Sequence, residues 1–219
     1  MLRIRFEKTG SGIWISHLDL MRVFQRAFRR AGLSLRHTQG YSPHAFVSLA
    51  LPLSVGTESV CELLECELTD ETVDLGALPA RLNAVLPAGI VCREANAGTR
   101  RLKELTHLRV RVDLKYDRGV SEGAAAQLEA LFARETLVVE KNSKNGPVQQ
   151  DIRPLIRALT VRAADGHTLC LEAVICAQNP SLNPDLLSKA IRTHLPAYAP
   201  DFAKSTRLAL LDASLEAFR

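Results

Sequence analysis

The chain has 219 residues, 47% of them hydrophobic and 24% charged, which is the composition of an ordinary globular protein with room for one large or two small domains. No apolar run reaches the length of a helical membrane span, and the opening MLRIRFEKTG is charged and alternating where a signal peptide is apolar, so a cytoplasmic protein is expected, without a membrane. The net charge of +4 conceals segregation. Arg3, Arg5, Lys8, Arg22, Arg26, Arg29, Arg30 and Arg36 face only Glu7 and Asp19 in the first 50 residues, whereas 57–74 carries Glu58, Glu62, Glu65, Glu67, Asp70, Glu71 and Asp74 with no basic residue. A second basic group follows at Arg100, Arg101 and Lys103. Charge separated in this way suits a phosphate backbone on one surface and a protein partner on another.

In chain order, residues 2–6 alternate as a strand, with Trp14 and its isoleucine neighbours read as core. Ser16 is a good N-cap for a helix, and Asp19 stands where a carboxylate meets the free amides of the first turn. Leu20, Val23, Phe24, Ala27, Phe28 and Ala31 recur at helical spacing, and Gly32 ends the helix. Arg22, Gln25, Arg26, Arg29 and Arg30 fall opposite, an arginine face that is either merely solvated or a polyanion contact. Short apolar stretches at 33–37 and 45–51 flank a Gly-Tyr-Ser-Pro-His turn. Residues 60–68 read as a strand with Glu65 and Glu67 outward, 75–86 as a helix and 90–95 as a strand. This is the order of a ferredoxin-like βαββαβ unit.

The order then recurs. Residues 108–115 alternate as a strand, 124–134 form an alanine-rich helix, and 136–140 a strand before a polar loop over 142–150. Strands at 156–161 and 168–175, a helix from Asn183 to about His194, and a strand at 207–211 complete it. The expected fold class is therefore α+β, two tandem ferredoxin-like halves with antiparallel sheets, spanning 1–98 and 105–219.

Several residue groups invite chemistry. His17, Asp19 and His44 form a polar cluster if the turn folds back onto the helix start, or else they cap the helix and order the turn. Tyr41, beside Arg36 and His37, either stacks on a base or packs on the sheet. Ser54, Gly56 and Thr57 make a ligand loop or an ordinary connection; with no Gly-Lys-Ser/Thr it is not a Walker loop. Asp151 either pairs with Arg153 and Arg157, or those arginines take phosphate. The five cysteines show no Cys-x-x-Cys and no histidine at ligand spacing, so neither disulfides, nor a metal, nor a cofactor is expected.

The stretch KTGSGIWISHLDLMRVFQRAFRRAGLSLRHTQGYSPHAFVSLALPLSVGTES resembles the opening of the radical SAM-linked proteins of the DUF2344 family. DIRPLIRALTV resembles that family's Asp-Ile-Arg-Pro segment, and KSTRLAL its closing Arg-Thr element, here reversed as Thr206-Arg207. The resemblance implies a partner encoded beside or fused to a radical SAM enzyme. The chain lacks a Cys-x3-Cys-x2-Cys cluster motif, so it is not itself that enzyme. The expectation is a non-catalytic RNA-binding or substrate-presenting partner, with Arg22, Arg26, Arg29, Arg30, Arg36, His37, Tyr41, His44, Arg153 and Arg157 as nucleic-acid contacts. The alternatives are a histidine-dependent RNA-cleaving or RNA-modifying enzyme using His17 or His44, and an adaptor that binds protein through the acidic strand 58–74.

Overall fold

Leu2, Ile4 and Phe6 turn to one side of the strand β1 (Leu2–Lys8) and anchor the first core. The computed structural model describes residues 1–143 and 146–218. It divides into two compact units: Met1–Glu104 with Ala217 and Phe218, and Leu105–Glu216. The boundary thus falls after Glu104, and Phe218 belongs with the first unit. The cause is local: the Arg3 guanidinium donates to the Arg100 carbonyl, and the Phe218 ring lies 5.2 Å from Arg3 Cζ and 4.6 Å from Arg100 Cζ.

In the first unit α1 (His17–Arg30), β2 (Val47–Leu49), β3 (Glu58–Cys66), α2 (Leu78–Asn83) and β4 (Ile90–Ala97) follow β1. The strand order is β4-β1-β3-β2, each pair antiparallel, with Ile4 opposite Leu64 and Val47 opposite Cys66. Helix α1 drives Leu20, Phe24, Ala27 and Phe28 into this core, where the Phe6 and Phe24 rings meet edge-on at 4.8 Å. Burying each such ring contributes roughly 1.5–3 kcal/mol. Burial pushes the thiols of Cys66 and Cys92 up to about 12, so both behave as small apolar side chains.

The second unit runs β5 (His107–Lys115), α3 (Ala124–Phe132), β6 (Val138–Ser143), β7 (Gly146–Asp151), β8 (Ile156–Asp165), β9 (Thr168–Cys176), α4 (Asp185–His194) and β10 (Phe202–Leu211). Its sheet has the order β10-β5-β9-β8, again with antiparallel neighbours, and β6 and β7 form a separate hairpin. Alternation is clear here: Val110, Val112 and Leu114 of β5 and Leu169, Leu171 and Ile175 of β9 are buried. The fold is α+β with antiparallel pairing inside each unit. No described helix is long and apolar enough to cross a membrane.

Four sequence expectations change. The polar loop over 142–150 is largely strand, because Asp151 Oδ1 accepts from Leu137 N at 2.8 Å and closes the hairpin base; residues 144 and 145 lie outside the described residues. Asp151 therefore serves backbone amides, Arg153 N included at 3.0 Å, and makes no guanidinium pair among the described residues. Glu65 does not face solvent, since it accepts from the buried Arg3. Trp14 is not core: it ends a 3-10 turn (Gly10–Trp14) whose buried place is taken by Gly12, and it stands 69% exposed.

That turn needs its glycines. A Cβ on Gly89, at φ +87, would stand 2.3 Å from Thr9 O, and one on Gly12 would stand 2.6 Å from Gly89 O. Gly89→Ala is expected to cost roughly 1–3 kcal/mol from backbone strain, with the clash added to it. A urea midpoint within error of wild type would refute this.

Candidate functional site

Helix α1 begins where Ser16 and Asp19 serve each other: Asp19 N donates to Ser16 Oγ at 3.2 Å, and the hydroxyl donates to Asp19 Oδ2 at 2.7 Å. That hydroxyl, and then Arg22 at 3.0 Å, hold the Asp19 carboxyl below its ordinary range. At the other end Gly32 takes φ +68, with Gly32 N donating to Arg29 O and Leu33 N to Phe28 O, a Schellman closure. The chain then runs out along the sheet, Leu35 bridging Leu68 and His37 bridging Ala45. Between these lies a tight excursion in which Thr38 N donates to His44 O at 2.8 Å and Tyr41 sits fully exposed at the tip. Gln25 Nε2 donates to Ala45 O at 3.1 Å and pins the returning strand to the middle of α1.

This arrangement opens a groove of about 770 Å³ between the helix and the excursion. Arg22, Gln25, Arg26 and Arg29 form its helix side, and Ser34, His37, His44 and Ala45 its far side. Arg22 is offset by Asp19, and Arg26 Nε donates to the Arg22 carbonyl at 3.3 Å. The Arg29 guanidinium has no hydrogen bond or ion pair among the described residues, the residue's carbonyl alone being engaged, by Gly32 N. The groove is thus cationic, open and lined by donors, suited to an anionic chain.

Several candidates lie elsewhere or are differently engaged. Arg30 reaches back to the Val85 carbonyl at 2.7 Å, and Arg36 pairs with Glu71 at 2.7 Å, so neither lines the groove. His44 shares its Nδ1 with Thr38 Oγ1 and Ser42 O, both at 3.2 Å, while Asp19 bonds to Ser16 and Arg22. The cluster of His17, Asp19 and His44 is not formed, because Gln25 holds the turn at mid-helix. The loop of Ser54, Gly56 and Thr57 has no free amide nest: Gly56 N donates to Ile13 O and Thr57 N to Ser54 O, and Thr57 is buried. Arg153 and Arg157 belong to the second unit, where with Glu129 and Phe132 they line a cavity of about 350 Å³. Arg153 donates to Ile156 O at 3.0 Å, and Arg157 Nε to His107 Nε2 at 3.4 Å. Among the described residues no group of three His, Cys, Asp or Glu is placed to hold a metal. Sequence reasoning placed Gln25 on the polar face but gave it no role, its polar side chain amid arginines being the one signal that marks it, and read the exposed Trp14 as core.

A family model described as "Uncharacterized protein conserved in bacteria (DUF2344)" matches residues 1–184. No curated protein matches the chain. Among solved structures, one chain of "Crystal Structure of a Cbf5-Nop10-Gar1 Complex" is similar, with a TM-score of 0.51 and 8% identity. The likeness covers 95% of this chain and 48% of that one, so this chain spans about half its length. At this identity the likeness concerns the fold alone.

Proposed function

Given that the chain belongs to the DUF2344 family, we propose that it is a non-catalytic RNA-binding, substrate-presenting partner of a radical SAM enzyme. The observation that carries the RNA part is the groove, where Arg22, Arg26 and Arg29 stand on one helix face with no acid on the lining. The enzyme partner follows from the resemblance to radical SAM-linked proteins. We also read both units as ferredoxin-like. In each, chain order βαββαβ and sheet order fourth-first-third-second support this, with the β6–β7 hairpin inserted after α3 in the second.

Filter binding of labelled RNA at low salt tests the first part, and co-purification with a radical SAM protein encoded beside this chain tests the second. No retention of any structured or single-stranded RNA removes the RNA reading. Cleavage of the RNA by wild type but not by His44→Ala replaces it with the enzyme reading. Tyr41→Ala is expected to weaken RNA binding roughly tenfold by loss of stacking, with an unchanged salt slope. A drop in slope instead would show that the loop acts through charge.

A further inference from the structure

Trp14 is the chain's single tryptophan, and its exposure is held by a backbone more closely specified than a surface loop requires. Thr9 N donates to Gly89 O at 2.8 Å and Gly12 N to Thr9 O at 2.9 Å, with glycines at both points of closest approach. The Ile13 carbonyl accepts twice, from Gly56 N at 2.9 Å and from Nζ of the buried Lys8 at 2.8 Å. Gly56, at φ +85, lies against the indole, and a Cβ there would be 3.7 Å from Trp14 Cζ3. Leu18, four residues on in the chain, and Val55, next to Gly56, are 64% and 54% exposed, so the ring is not the one large apolar side chain presented by these segments. Leu18 is one helical turn before Arg22, so the outward stripe of α1 reads Leu18, Arg22, Arg26, Arg29. The ordered turn that bears the exposed ring thus leads directly into the helix with the cationic stripe.

These are the two elements that hold unpaired nucleic acid: cations along the backbone and a ring for a base face. A base paired inside a duplex offers no free face, so the ring selects single strands. We propose that Trp14 is a stacking platform for an unpaired base of a single strand whose phosphates lie along Arg22, Arg26 and Arg29. The proposal rests on the groove reading above and narrows its ligand to single-stranded nucleic acid.

Because no other tryptophan is present, emission excited at the red edge, where the three tyrosines do not absorb, reports this ring alone. A short labelled single-stranded RNA of mixed sequence is titrated into the whole chain, with anisotropy and tryptophan emission followed together, beside a blunt duplex of the same sequence. The expected result is quenching that saturates with the anisotropy for the single strand and is absent for the duplex. Trp14→Ala is expected to lose roughly tenfold in affinity with the salt slope retained, and Trp14→Phe to recover part of it. Binding by anisotropy with no quenching and an unaffected Trp14→Ala overturns the platform while leaving the groove intact. Equal quenching by the duplex overturns the single-strand selection. No anisotropy change with either RNA defeats the groove reading and the platform with it. Quenching by the co-purified radical SAM protein, with none by RNA, reassigns the ring to a protein contact and overturns the proposal.

Discussion

Arg3→Met is expected to destabilise the protein by about 3–5 kcal/mol, because it leaves a carboxylate without its buried partner. Arg3 is 1% exposed, and its Nε and terminal nitrogen both donate to Glu65 Oε1. The same guanidinium donates to the Arg100 carbonyl and lies over Phe218, and a Cβ on Gly98 would meet it at 3.2 Å. Methionine fills much of the space but satisfies neither acceptor. The double variant Arg3→Met/Glu65→Leu removes both charges and is expected to recover most of the loss, so a urea-denaturation cycle should show strong coupling. A single variant within about 1 kcal/mol of wild type would mean that water reaches the pair and that the burial is not energetically felt. The same contact bears on an adaptor role for the acidic strand. Charge reversal at Glu65 perturbs the fold, so such a role is better tested at the exposed Asp70 and Asp74.

What could be read in advance follows the range of the interactions. Helix α1 was legible because its determinants are local: the Ser16 cap, the Leu20, Phe24, Ala27 and Phe28 stripe, and the Gly32 closure lie within one short segment. The groove arginines followed from the same periodicity. Their division was not legible, since Arg30 and Arg36 are drawn away by Val85 and Glu71, which lie 55 and 35 residues off. On the far side His37 and His44 were legible as candidates, but not their placement opposite the middle of the helix, which depends on one side-chain bond from Gln25 to a carbonyl beyond the turn. Arg3 defeats strand alternation because Leu2, Arg3 and Ile4 are all buried in succession. Trp14 misled through its company: flanking isoleucines indicate a core strand, but a 3-10 turn with a buried glycine rotates the larger side chain outward. In the second unit the strands were legible from alternation, and the β6–β7 hairpin was hidden by its polar composition.

The Arg22/Arg26/Arg29 triple alanine variant is expected to lose most of its RNA affinity at low salt. Each arginine that meets a phosphate releases about 0.7 of a counterion from a single strand, so the slope of log affinity against log salt should fall by about 2. The fold should be spared. Asp19 keeps its reciprocal bonds with Ser16 when Arg22 is gone, the Arg26 bond to the Arg22 carbonyl is exposed, and alanine is the best helix former. Arg30→Ala and Arg36→Ala serve as controls that each remove one positive charge outside the groove, because both guanidiniums are turned from it toward Val85 and Glu71. If the site is the groove, the controls retain the wild-type salt slope while the triple variant does not. If binding depends only on the net charge of the surface, each control loses a share in proportion to its single charge. Arg153→Ala/Arg157→Ala separates the units: unaltered binding confines the contact to the first, whereas a fall in slope assigns the second unit a phosphate contact of its own, at the cavity beside Phe132. Equal affinity of wild type and the triple variant for the same RNA would refute the groove as a polyanion site, because no other group on its lining carries a full positive charge on a guanidinium or ammonium.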